Sequence, residues 1–213
     1  GVEEFTRTQM VYIESGSDGV VEDWKNVLVS TLVFFHAHPD DEASQTAGSM
    51  VLAAERGHRV VVVFATAGGH GAGPQDRAPG ETVAQRRRAE AQASARVLGI
   101  ARVAWLGYHD SGMTGWPQNT DPLSFVQASL DQAGGRLADI LDEEDADVLV
   151  TYDWHGNYGH PDHVMVHRVA YRAAQLASHR PRVLEQTTNH DDMGRMAARA
   201  AAPGGGDAPG LPS

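Results

Sequence analysis

A chain of 213 residues, 41% of them hydrophobic, is long enough for one domain with a sizeable core, and it has no apolar run of the roughly 18 residues that a membrane span needs. A formal net charge of −11, from 17 Lys and Arg against 28 Asp and Glu, argues against the basic surface that nucleic-acid binding requires. There is no cysteine, so disulfides and thiolate metal sites are excluded, and a transition-metal site must draw on the 11 histidines and the carboxylates.

Residues 1–26 are polar and irregular and read as an N-terminal arm. They lack the basic start and apolar stretch of a secretory signal, which points to the cytoplasm. The run Thr31 to His36 is continuously apolar and predicts a strand buried on both faces. A helix is expected over 43–56, stopped by Gly57, then a strand over 59–65 and a Gly-rich loop over 68–80. A long helix is predicted over 81–98, ending at Gly99, followed by a third strand over 103–106 and a loop over 107–122. Helix 123–143 leads to a strand over 147–151. Loop 152–160 then opens a helix with Pro161 in its first turn, where proline is favoured, and 183–187 is a candidate fifth strand. The Ala-, Gly- and Pro-rich residues 197–213 read as a flexible or truncated tail.

Strands alternating with helices at this spacing predict an α/β fold: a Rossmann-like three-layer sandwich around a mainly parallel sheet of about five strands, spanning residues 27–196. In such sheets ligands bind beyond the C-terminal strand ends, which directs attention to the loops at 36–42, 66–80, 107–121 and 152–163.

The chemistry-bearing residues lie in those loops. The first reads His36-Ala-His38-Pro39-Asp40-Asp41-Glu42; the last contains His160-Pro161-Asp162-His163. His38 and Asp41 sit three apart on a turn entering a helix, and His160 and His163 share one face of a helix start. A set of two histidines and one carboxylate suits catalytic Zn²⁺ and equally tolerates Fe²⁺. Either cluster alone reads as readily as loop polarity or helix capping; the pair at corresponding strand ends favours a metal site. Arg87 shares a helical stripe with Glu90, Ala91, Ser94 and Leu98 and needs a partner: substrate hydroxyls, Asp110, or simply Glu90. His167, one turn after His163, could be a rival ligand but reads better as a packed neighbour of the site.

The string Ala37-His-Pro-Asp-Asp-Glu42 together with Gly159-His-Pro-Asp-His163 resembles the PIG-L/LmbE-like family of zinc N-acetylglucosaminyl deacetylases and related amidases. Arg87-Arg-Ala-Glu90, Leu98-Gly99, Asp110-Ser-Gly-Met113 and Thr151-Tyr-Asp153 agree, and the resemblance covers about residues 30–195. The Asp110 and Tyr158 stretches look like the actinobacterial branch, which acts on GlcNAc-inositol or on mycothiol conjugates. The resemblance implies His38, Asp41 and His163 as zinc ligands and Asp40 as general base. It also implies His160 as a cationic oxyanion stabiliser, with Asp162 orienting its ring and keeping it charged; otherwise Asp162 merely favours the helix dipole. Arg87 and Asp110 are the candidate substrate contacts. The implied substrate is a small N-acyl amide, most simply a GlcNAc derivative; a thiol conjugate is the alternative, and a non-catalytic sugar-binding relative a further one. A nucleotide-binding module is disfavoured, because the first strand–helix turn has no glycine and two acids where a pyrophosphate would sit. A homo-oligomer is compatible with all of this; nucleic acid and membrane are not expected partners.

Overall fold

The computed structural model describes residues 29–187 apart from Pro74. The expected N-terminal arm, 1–26, and tail, 197–213, therefore lie outside the described residues. Five strands form one parallel sheet: β1 (Thr31–His36), β2 (Arg59–Thr66), β3 (Arg102–Tyr108), β4 (Val148–Tyr152) and β5 (Arg182–Gln186), in the order β3-β2-β1-β4-β5. The helices are α1 (Ala47–Glu55), α2 (Val83–Leu98), α3 (Leu130–Glu143) and α4 (Pro161–Leu176). Among the described residues no helix is long and apolar enough to cross a membrane.

The central strands are apolar throughout because both of their faces are covered. Val33 and Phe35 of β1 and Val61 and Val63 of β2 pack with Leu137 and Leu141 of α3 and Val166 and Val169 of α4. The alternate residues Phe34, Val62 and Phe64 pack with Met50 of α1 and Ala91 of α2. Every one of these side chains is nearly or wholly buried.

Element boundaries shift by a few residues from expectation, and two helix starts have a visible cause. Helix α2 starts at Val83 because Thr82 caps it: its Oγ1 accepts the Gln85 N–H at 3.1 Å while Gln85 Oε1 accepts the Thr82 N–H at 2.9 Å. Such a cap is worth about 1 kcal/mol. Helix α3 starts at Leu130 rather than 123, because the preceding segment is otherwise engaged. His109 donates its N–H to the Leu123 carbonyl and accepts the Phe125 N–H, and Phe125 plugs the core.

The strand order reverses direction at β1, so the chain leaves β1 and β4, neighbours in the sheet, toward opposite sides. That divergence opens a crevice at their C-terminal ends. The two His/Asp-rich loops follow these two strands.

Candidate active site

Beyond β1 the chain turns sharply through His38–Asp41 and enters a π-helical turn, Glu42–Thr46, that continues into α1. Asp41 is 5% exposed and held from several sides. Its Oδ2 accepts the His38 N–H at 3.0 Å and lies 3.5 Å from His38 Nδ1 and 3.3 Å from His163 Nε2. Its Oδ1 accepts from Gln45 Nε2 at 2.8 Å, and Gln45 is in turn bonded by Gln186 at the end of β5.

From the β4 side, a turn at Gly156–Gly159 presses on the start of α4. Gly156 has φ +62°, and a Cβ there would lie 2.6 Å from the Cβ of His163, so only glycine allows this approach. His163 is fully buried; beyond its contact with Asp41, neither ring nitrogen makes a hydrogen bond among the described residues. A buried imidazole whose nitrogens make no hydrogen bond is unfavourable unless a lone pair meets a cation. Donor atoms of His38, His160 and His163 lie within 4.8 Å of one another, as do those of His38, Asp110 and Asp162. This buried His/Asp group could hold a metal ion.

The remaining expected residues fall around this cluster, with different partners from those expected. The carboxylate of Asp162, wholly buried, does not orient His160. Its Oδ2 meets His38 Nε2 at 3.0 Å and accepts the Ser111 N–H at 2.9 Å. Asp162 touches His160 through its main chain: His160 caps α4, its Nδ1 accepting the Asp162 N–H at 3.1 Å. A nitrogen that accepts carries no proton, so His160 is neutral, with its proton on Nε2. Burial and then the charge of His38 lower its pKa to about 4. The expectation of a cationic His160 is corrected on these grounds. Asp110 Oδ2 accepts the His70 N–H and Oδ1 the Gly112 N–H, both at 2.9 Å, and Oδ1 lies 3.6 Å from His38 Nε2. Arg87 pairs with neither Asp110 nor Glu90: Nη2 lies 3.1 Å from Asp40 Oδ2, and Nη1 donates to the Pro39 carbonyl at 3.2 Å. His167 points elsewhere, to the Tyr152 carbonyl at 3.0 Å.

The electrostatics follow from this geometry. Burial disfavours a charge on His38, but Asp110, Asp162 and Asp41 outweigh it and hold its pKa well above the ordinary value. Burial likewise opposes ionisation of Asp41, yet His163 and His38 keep its carboxyl well below the usual range. Asp40 differs: its side chain is 66% exposed, and partial desolvation followed by the Asp41 charge pushes its carboxyl up while Arg87 pulls it down. Its φ of +100° is rarely adopted by a non-glycine residue and costs on the order of 1–3 kcal/mol. Beside it a cleft of about 480 Å³ opens between the 39–43 loop and α2, walled in part by Asp40, Glu42, Arg87, Glu90 and Ser94. The buried histidines are not among its walls.

Three further side chains join the cluster that the expected site did not include. Tyr158, on the rim, lies with its ring 4.9 Å from that of His163 and 6.1 Å from that of His160. Tyr152 backs His163 at 4.6 Å. Gln45 stands four residues after Asp41, a helical spacing at which side chains meet, so its contact was legible in principle.

Residues 33–174 match the family model of PIG-L, GlcNAc-PI de-N-acetylase. The 1D-myo-inositol 2-acetamido-2-deoxy-alpha-D-glucopyranoside deacetylase 1 of Catenulispora acidiphila is 41% identical over 162 residues, covering 69% of this chain and 49% of the relative. The chain thus spans about half the length of such curated relatives. Among solved structures, N,N'-diacetylchitobiose deacetylase from Pyrococcus horikoshii aligns with a TM-score of 0.59 and 25% identity over 74% of this chain and 53% of its own. The 4-carboxy-2-hydroxymuconate hydratase GalB from Pseudomonas putida shares the fold at a TM-score of 0.53 and 23% identity, over 72% of this chain and 60% of its own. With two thirds of its length inside the family model, this chain is a member of the PIG-L family.

Proposed function

We propose that this chain carries the catalytic core of a metal-dependent hydrolase that removes the acetyl group from an N-acetylglucosamine-containing small molecule. The observation that carries the reading is the contrast between two adjacent carboxylates. Asp41 is buried against His38 and His163, whereas Asp40 stands largely exposed at the edge of that cluster.

His38, Asp41 and His163 would hold the ion. The histidine–carboxylate donor set suits Zn²⁺ or Fe²⁺, and a buried His163 whose ring nitrogens make no hydrogen bond and whose Nε2 faces the Asp41 carboxylate fits such a ligand. When bound, the ion supplies a Lewis acid that acidifies water and polarises a carbonyl. The chain does the rest. Asp40 accepts the proton of the attacking water and afterwards delivers it to the leaving amine nitrogen. Neutral His160 offers Nε2–H to the developing oxyanion, as an uncharged imidazole donor can. Asp162 holds His38 by its Nε2, leaving Nδ1 toward Asp41. Arg87 fixes the Asp40 carboxylate and walls the cleft beside it, where it would meet substrate hydroxyls.

The named activities of the curated relatives support GlcNAc-inositol as the first substrate to try. The test is amine release by the Zn²⁺-loaded chain from GlcNAc-inositol, from simple GlcNAc glycosides and from thiol-conjugate amides. Release from the sugar amides is expected. A protein with stoichiometric metal that hydrolyses none of them would refute the reading.

A further inference from the structure

Glu42 is an acid of the first loop that the chemistry above leaves unused. It is 3% exposed, a poor environment for a carboxylate without a task. Its Oε2 accepts the N–H of Asp40 at 2.9 Å, and Ser94 of α2 hydrogen-bonds it from the other side. The Asp40 carbonyl is held as well, accepting from Ser44 N and Ser44 Oγ, both at 3.0 Å. Its carboxylate is gripped by Arg87. That guanidinium reaches it through a gap that two glycines leave open: a Cβ on Gly68 would lie 2.6 Å from Nη1, and one on Gly71 2.5 Å from Nη2. Asp40 is thus fixed at its N–H, its carbonyl and its side chain, in a backbone conformation that a non-glycine residue keeps only when its surroundings impose it.

We infer that Glu42 is a positioning residue, whose carboxylate locks the backbone of Asp40 in the left-handed conformation that holds the base clear of the buried cluster. The inference rests on Asp40 being the base. The geometry separates two tasks along three consecutive acids: Asp41 faces inward, Asp40 outward, and Glu42 holds the bend between them.

The substitutions that test this are Glu42→Gln, which keeps an oxygen acceptor without the charge, and Glu42→Met, which keeps the length without the acceptor. With the Zn²⁺-loaded chain and GlcNAc-inositol, Glu42→Met should lower kcat on the order of 10–100-fold, the penalty of a misplaced catalytic group, with KM and metal content near wild type. Glu42→Gln should restore most of kcat. Hydrogen exchange of the Asp40 amide, followed by NMR, is the second readout: protected in wild type and Glu42→Gln, accelerated at least tenfold in Glu42→Met. Wild-type kcat in Glu42→Met, or equal losses in both variants, would overturn the inference, as would an Asp40 amide that exchanges in wild type like a free peptide. The wild-type measurement needs no variant to fold. If wild type hydrolyses no amide, the proposed function has failed, and the exchange comparison alone decides whether Glu42 anchors Asp40.

Discussion

Replacing Asp162 separates a residue that supports the metal site from one that serves His160. Its Oδ2 has two partners, His38 Nε2 at 3.0 Å and the Ser111 N–H at 2.9 Å, and the residue is wholly buried. In Asp162→Asn the remaining oxygen can still accept from Ser111, but the carboxylate that orients His38 is gone. Losing such a carboxylate–histidine contact weakens metal binding about 10–100-fold, or roughly 1.4–2.7 kcal/mol at 1.36 kcal/mol per tenfold. In Asp162→Ala the Ser111 N–H also loses its partner, at about 1–3 kcal/mol. At roughly 2–4 °C per kcal/mol for a chain of this size, the melting temperature should fall by about 2–12 °C. Competition with a chromophoric chelator measures the first effect, and calorimetry of the metal-free protein the second. The expected pattern is weaker Zn²⁺ binding in both variants, with the larger thermal loss in the alanine. Unchanged Zn²⁺ affinity in both would mean that Asp162 does not orient a ligand, and the assignment of His38 would fall with it.

Asp40→Asn should retain metal and lose on the order of 10²–10⁴-fold in kcat, whereas Asp41→Ala should lose metal; elemental analysis beside kinetics checks both, and the opposite pattern reverses the two roles. His160→Ala should lower kcat by about 10²–10³-fold without removing the alkaline limb of the pH profile, since a neutral donor has no proton to lose there; a limb that vanishes in the variant would restore a cationic His160. His36, wholly buried between Tyr152 Oη and Thr46 Oγ1, has a pKa lowered by burial to about 4. Between pH 6.5 and 4 the unfolded chain therefore binds a proton that the folded one does not. Stability should be fully present above pH 6.5 and decline by up to about 3 kcal/mol on acidification. Denaturant titrations of wild type and His36→Gln across that range test it, and equal slopes in the two proteins would refute the argument.

The chain's local patterns determined the strands and which loops carry the chemistry. The continuous apolar run 60–65, short and bounded by polar residues, reads as a strand covered on both faces, and Gly99 ends its helix in the left-handed conformation. The motif spacing likewise sufficed to bring His38, Asp41, His160 and His163 to one edge of the sheet, because a parallel sheet delivers all of its strand ends there. Pairing was another matter. Asp162 is two residues from His160 yet serves His38, 124 positions away, and Arg87 passes its helical neighbour Glu90 to reach Asp40. Helix α3 starts at Leu130 rather than 123 because Leu123 and Phe125 pair with His109. Short-range spacing limits which side chains can meet within one element. Which carboxylate faces which imidazole across two loops depends on how β1 and β4 sit side by side, and only the folded sheet decides that.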